Sequence, residues 1–422
     1  MPPLAHRFQA IDVMRGMTVA LMIVVNMSMG PANSYGPLLH ADWHGLTLTD
    51  LVFPTFMFVV GASLSFTLET YEVAGEAALL KKVLTRAALI FLIGYLLYWF
   101  PFFERDAAGH WSAAPIGNTR IFGVLQRIAL GYAAAALIIH YSRVRGAVIF
   151  SVLALLGYWF ILYSYGDYSL AGNAVLRLDR FPLGESHLYH GESIAFDPEG
   201  MLSTLPAIVN VIAGYLAGRF IRLRGANFET IALMMMAAAA SILVALVWNS
   251  VFPINKKLST SSYAVCAIGI DLAVLAVLVY VIDLRKRQDW GYFFKALGRN
   301  TLLIYVLSEL LEELIGAVHV GSQPLVDWLY ANVFQPLAGN KPGSLLLALA
   351  FMMICWLVGY VLDKNKLYLK LSCQHRNASP RDPQPSSPLS WWRPRPLSAR
   401  HYGLASRQWL HRQRPLSPMP HI

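Results

Sequence analysis

The chain has 422 residues, of which 56% are hydrophobic and 14% charged, where ordinary soluble domains carry about 25% charged residues. This composition excludes a soluble globular enzyme and reads as an integral membrane protein. The formal net charge is +10, but residues 371–422 alone hold eight arginines, no lysine and a single aspartate, so the excess charge lies mostly in a tail and gives no ground for a nucleic-acid partner.

Ten segments carry the roughly 20 mostly apolar residues that a helix needs to cross the hydrocarbon core: about 12–29, 51–68, 83–100, 121–140, 146–165, 202–221, 229–252, 262–283, 300–319 and 344–362. Hydrocarbon leaves no water to pair backbone groups, so runs of this length read as helices. The expected architecture is all-α, a polytopic bundle of about ten transmembrane helices. The first segment is preceded by His6, Arg7 and Asp12 and lacks a small-residue cleavage site, so it reads as a retained anchor. With the N-terminus inside, eighteen lysines and arginines fall in cytoplasmic segments, from Arg7 and Arg15 to Lys366 and Lys370. Seven fall on the other side: Arg105, Arg120, Arg177, Arg180, Lys256, Lys257 and Lys341. The bias places both termini in the cytoplasm of a multi-pass cell (inner) membrane protein. Residues 1–371 are then the membrane domain, and 372–422, with nine prolines and no helical period, are expected to be a disordered tail. Cys266 and Cys355 lie in apolar runs and Cys373 at the tail, which implies no disulfide framework.

Ionisable groups in or beside spanning helices are expensive and therefore candidates for function. Asp12 and Arg15, three apart, can pair across one turn. Asn26, near the outer end of the first span, can bond a neighbouring helix or present a donor to a ligand. The stretch LLHADWHGLTLTDLVFPTFMF, residues 38–58, places His40, Asp42, His44 and Asp50 at the mouth of the second span. The His-x₃-His spacing suits a metal only on a helix, and Pro37 and Gly45 argue against one here, so no metal is expected. An imidazole titrating near pH 6.5 suits a general base instead, with a loop-capping histidine as the simpler role. Asp50 is placed to cap the second helix. Arg127 falls inside the fourth span, where it needs an acid, a ligand phosphate or a water-filled cavity. Asp271 is an isolated acid in the eighth span, and Glu309, Glu312 and Glu313 cluster in the ninth, as proton-relay groups of a transporter would. The polar loop at about 166–201 supplies Asp179, Arg180, Glu185 and His187 as candidates to hold a polyhydroxylated sugar.

Several stretches resemble a known family. RFQAIDVMRGMTVALMIVVN, HADWHGLTLTDLVFPTFMFVVGAS, RIFGVLQRIALGYA, LDRFPLGESHLY, FDPEGMLSTLPAI, PINKKLSTSSY and LGRNTLLIYVLSE follow the order of the catalytic region of the heparan-α-glucosaminide N-acetyltransferase family. The resemblance implies a transmembrane acyltransferase that takes acetyl-CoA as co-substrate from the cytosol and acetylates an amino sugar of the glucosamine type on the other face. It maps the family's catalytic histidine onto His40 and the asparagine ending its first core helix onto Asn26, while His44 drops out. The bilayer and a glycan acceptor are the implied partners, with a homodimer open.

Two mechanisms fit. His40 can take the amine's proton while the Asn26 amide donates to the oxyanion, or His40 can itself carry the acetyl group. Asp50, Arg127, Asp179, Arg180 and His187 are the expected substrate contacts. The rival readings are an amino-sugar or metabolite transporter using the glutamates of the ninth span, and an O-acyltransferase acting on a cell-envelope glycan.

Overall fold

The computed structural model describes residues 8–105 and 110–369, so the proposed tail beyond 372 lies outside the described residues. The chain folds into helices α1 (Gln9–Asn26), α2 (Leu48–Val73), α3 (Glu76–Trp99), α4 (Val124–Ser164), α5 (Ala174–Leu183), α6 (Thr204–Arg224), α7 (Phe228–Trp248), α8 (Ser261–Leu278), α9 (Gly291–Arg299), α10 (Thr301–Ala317), α11 (Leu325–Leu329), α12 (Gln335–Ala338) and α13 (Asn340–Lys364). Two small antiparallel hairpins, Phe103–Arg105 with Trp111–Ala113 and His319–Val320 with Gln323–Pro324, sit in the connections.

Every predicted span falls in a helix. Among the described residues, seven helices are long and apolar enough to cross a membrane: α1, α2, α4, α6, α7, α8 with its π-helical extension to Leu284, and α13. The predicted spans at 121–140 and 146–165 share the 41-residue α4, which breaks at Arg143, where φ is 58°. The segments predicted at 83–100 and 300–319 form α3 and α10. The polar loop predicted at 166–201 contains a helix, α5, that its length and mixed composition concealed. Asn173 caps it, its side chain accepting from the Leu176 amide at 2.8 Å.

The helices pack as α2 on α6, α4 on α6, α3 on α4, α1 on α9 and α7 on α8, with a buried apolar core contributed mainly by α1, α2, α4, α6 and α13. Around this core the chain exposes apolar side chains such as Phe160, Met236, Leu243 and Val247. Such a surface is stable against lipid and not against water. Helices in hydrocarbon gain nothing from burying apolar area against each other, so they associate by close backbone approach at small residues. The α2–α6 contact does this: a Cβ on Gly61 would sit 1.8 Å from the Val211 carbonyl oxygen, and one on Gly214 would sit 1.8 Å from that of Phe58.

Since neither opposing group is a movable side chain, Gly214→Leu must push α2 and α6 apart. The expected loss is on the order of 1–3 kcal/mol or more, read as a lower melting temperature in detergent. Ala239→Leu, on an exposed position of α7, should leave the melting temperature unchanged.

Candidate active site

Residues 40–46 form an irregular loop between a short turn at Gly36–Leu38 and α2. Two things hold that loop. Thr47 caps α2 in a capping box, its hydroxyl facing the Asp50 amide while Asp50 Oδ2 accepts from the Thr47 amide at 3.0 Å. The same Oδ2 accepts from the Ala41 amide at 3.1 Å. This leaves Oδ1 for His40, whose Nδ1 lies 2.6 Å away. Asp50 is 1% exposed and its backbone carbonyl accepts from the Tyr263 hydroxyl at 2.6 Å. A buried carboxylate so fixed dictates the imidazole's tautomer: Nδ1 carries the proton and Nε2 keeps its lone pair. The helix cap expected of Asp50 and the orientation of His40 are thus one structure. Asp50 works through His40 and does not line the cavity beside it. His44 points elsewhere, its Nδ1 3.3 Å from the Asn255 amide nitrogen.

His40 lines a cavity of about 150 Å³ together with Asn26, Tyr98, Glu199, Lys256, Tyr305 and Glu309. Asn26 donates its side-chain amide to Glu309 Oε1 at 3.1 Å, joining the end of α1 to the middle of α10. Opposite, Arg120 forms a fork on Asp197, at 2.9 and 2.6 Å, and reaches Glu199 Oε2 at 2.8 Å. The Lys256 ammonium lies 3.7 Å from the other Glu199 oxygen. Burial alone would raise the Glu199 carboxyl, but Lys256, Arg120 and Arg127 outweigh it and hold it well below the usual carboxylate range. Glu199 is therefore an anion at neutral pH. The Glu199–Lys256 pair presents an ammonium, anchored but not enclosed, to the cavity.

Tyr305, Phe56 and Ile128 also form part of the wall of a second cavity, of about 380 Å³, lined by Arg15, Arg86 and Arg299. Arg15 is fixed by Asp12 at 3.3 Å and by the Gly298 carbonyl at 3.2 Å, realising the pair expected in α1. Arg299 bonds Asp363 at 2.6 Å, and Arg86 lies over the Tyr132 ring. Phe56, Ile128 and Tyr305 thus separate an arginine-lined cavity from the one that His40 lines.

A family model described as an acyltransferase domain matches residues 8–364, a stretch that contains every lining residue of the two cavities except Leu369. The chain belongs to this acyltransferase family. It is also 27% identical to the heparan-alpha-glucosaminide N-acetyltransferase of Mus musculus, with 87% of the chain covering 61% of that protein, and 28% identical to that of Homo sapiens, with 74% covering 54%. The chain thus spans less than two thirds of the length of these relatives. It is a distant relative of the heparan-alpha-glucosaminide N-acetyltransferases and a multi-pass membrane acyltransferase.

In this acyltransferase the remaining residues singled out from the sequence fall away from the His40 cavity. Arg127 is 1% exposed. Its guanidinium donates to the carbonyls of Pro198, at 2.7 Å, and Gly200, at 3.3 Å, and to the hydroxyls of Ser203 and Ser259, the latter at 3.1 Å. It grips the FDPEG loop from beneath. Asp179, on α5, is 1% exposed and accepts from the Leu202 amide at 3.1 Å, while its second oxygen has no hydrogen-bond partner among the described residues. Gly200 allows this approach, since a Cβ there would lie 1.8 Å from Asp179 Oδ2. Arg180 pairs with Glu185 at the surface, and His187 Nδ1 lies 2.8 Å from the Thr119 carbonyl. Glu199 of FDPEG and Lys256 of PINKKL, with Tyr98 and Tyr305, reach the site without having been singled out. Both motifs were visible in the sequence, but the direction of their side chains was not.

Burial lifts the Asp179 carboxyl to about 6, against the pull of the Leu202 amide and Arg127. A raised acid opposes folding when ionised, so its penalty is full above about pH 6 and vanishes below about pH 4, where folded and unfolded chains are both protonated. Asp179→Asn should therefore raise stability at pH 7, on the order of 2 kcal/mol, and leave it unchanged at about pH 4. Thermal melts of both proteins across that range check this.

Proposed function

We propose that the protein moves an acetyl group from cytosolic acetyl-CoA to the amino group of an extracytoplasmic amino sugar of the glucosamine type. In this reading ten spans with both termini cytoplasmic put the arginine-lined mouth on the inner side and His40 on the outer. The observation that carries it is the His40–Asp50 pair facing a cavity that shares walls with an arginine-lined one. The donor's phosphates suit Arg15, Arg86 and Arg299, since guanidinium groups match phosphate geometry. Its pantetheine arm would follow the Phe56, Ile128 and Tyr305 walls towards His40.

His40 Nε2, held with its lone pair available by Asp50, takes the proton that the attacking nitrogen loses as the tetrahedral adduct forms. The developing oxyanion needs a donor in the same cavity. Asn26 Nδ2 has a second hydrogen beyond the one given to Glu309, and the Lys256 ammonium and the Tyr98 and Tyr305 hydroxyls are further donors on the cavity wall. Asp50 keeps the imidazole in one tautomer and steadies its positive charge. Transfer to a hydroxyl of a cell-envelope glycan would use the same pair, and the acceptor assay separates it.

Purified protein in detergent with radiolabelled acetyl-CoA and glucosamine should yield labelled N-acetylglucosamine. His40→Ala should lower the rate by a factor of about 10² to 10⁴, the usual contribution of a general base, and Asp50→Asn by about 10², through loss of the tautomer. Acetyl-CoA binding by both variants should match the parent. Full activity of His40→Ala sinks the proposal, as does uptake of labelled sugar into vesicles without acetyl-CoA, which would mark a transporter.

A further inference from the structure

Three carboxyl groups stand around the His40 cavity, and two of them are already engaged by protein. Asp50 is bonded to His40 and to the start of α2, and Glu199 is held between Arg120 and Lys256. The third, Glu309, lines the cavity wall. Among the described residues its hydrogen-bond partner is the neutral Asn26 amide, and no lysine or arginine forms an ion pair with it. The groups that face it are Asn26 from α1, Tyr98 from α3, Tyr305, Glu312 and Glu313 from its own helix, and Lys256, Glu199 and His40 across the cavity. Two of its neighbours on α10, Glu312 and Glu313, are acidic, and the ammonium facing the cavity, Lys256, is paired with Glu199, so among the described residues Glu309 has no cation of its own and a ligand would supply one.

We propose that Glu309 is a catalytic residue that receives the acceptor as an ammonium ion and takes its first proton, leaving the second for His40. This rests on the reading of the cavity as the place of acetyl transfer to an amine, and it specifies the acceptor's protonation state. An amine of ordinary pKa near 8 arrives mostly protonated at neutral pH and has no lone pair to attack with. One N–H proton passes to the Glu309 carboxylate. The freed lone pair then forms the C–N bond at the thioester carbonyl carbon while the C=O π pair moves to oxygen. His40 Nε2 takes the second N–H proton, the returning pair re-forms C=O and breaks the C–S bond, and the departing thiolate collects the proton from His40. One proton stays on Glu309 and leaves to water, matching the overall release of one proton when an ammonium is acetylated. A hydroxyl has a single proton to lose and needs His40 alone, so Glu309 distinguishes amine from alcohol acceptors. Asn26, bonded to Glu309 Oε1, positions the carboxylate towards the cavity.

The test uses the full chain in detergent with radiolabelled acetyl-CoA, and glucosamine or glucose as probe acceptors. Glu309→Gln is expected to lower glucosamine acetylation about 100-fold near pH 6.5, within the range of general-base effects. It should recover to within about threefold of the parent near pH 9, where the amine is already neutral. Glu309→Asp should keep more of the activity near pH 6.5 than the glutamine variant, and acetyl-CoA binding should be unchanged in both. An equal loss at both pH values overturns the role of Glu309 while leaving acetylation of amines standing. Should Glu309→Gln fail to bind acetyl-CoA, the aspartate variant decides, a pH-independent loss again overturning the proposal. Parent protein that labels glucose hydroxyls alone, or neither sugar, overturns the amine-acceptor reading and this role with it.

Discussion

One buried guanidinium fixes the arrangement of the site. Arg127 sits inside α4 with almost no access to solvent, and a cation in such a place must be matched by hydrogen bonds on most of its donors. The chain answers by folding the Pro198–Ser203 turn and Ser259 against it. Those two segments carry Glu199 and Lys256 as near neighbours. The grip of Arg127 therefore places an acid and a base of the cavity wall without Arg127 touching the cavity. The carboxylates of Glu199, Asp197 and Asp179 add their field around the cation, so the region is close to electroneutral as a cluster although none of its members would tolerate burial alone.

The His40 loop follows the same economy at smaller scale. A polar loop at a helix entrance would ordinarily be free to move, but Asp50 uses one oxygen to close the start of α2 and the Ala41 amide, and the other to hold the imidazole. The orientation of the base is thus tied to the folding of a helix end, and α8 reinforces it through the Tyr263 hydroxyl on the Asp50 carbonyl. Preorganisation of this kind lets a general base act without reorganising during the reaction.

Charge is divided between the two cavities in a way that suits the two halves of an acyl donor. Arginines line the larger cavity, each fixed by a protein partner or an aromatic ring. The smaller holds the imidazole, one paired ammonium and a carboxylate without a cation. The tightly packed α2–α6 crossing lies against this region, and Phe56 of α2 faces both cavities. A chain that keeps these helices in register keeps the two compartments in line.

Much of this was legible in the residues themselves. Apolar runs of spanning length fixed the helices, because in hydrocarbon a backbone can satisfy itself only locally, and His40, Asn26 and the Asp50 cap stood out because polar groups at such helix ends need a reason. What the sequence alone left open were partners distant along the chain. Arg127 could equally have met a ligand or a loop, and only the tertiary structure, which brings residues 198–203 and 259 beneath it, made it a clamp. Glu309 read as one of a cluster of glutamates until the packing of α10 beside α1 set it against Asn26 and across from His40. The α5 helix was hidden because ten residues of mixed polarity carry little periodic signal. Local hydrogen bonding is written in neighbouring residues, so the sequence determined the helices and their ends. Which ionised groups face one another depends on how those helices pack, and only the folded chain decided that.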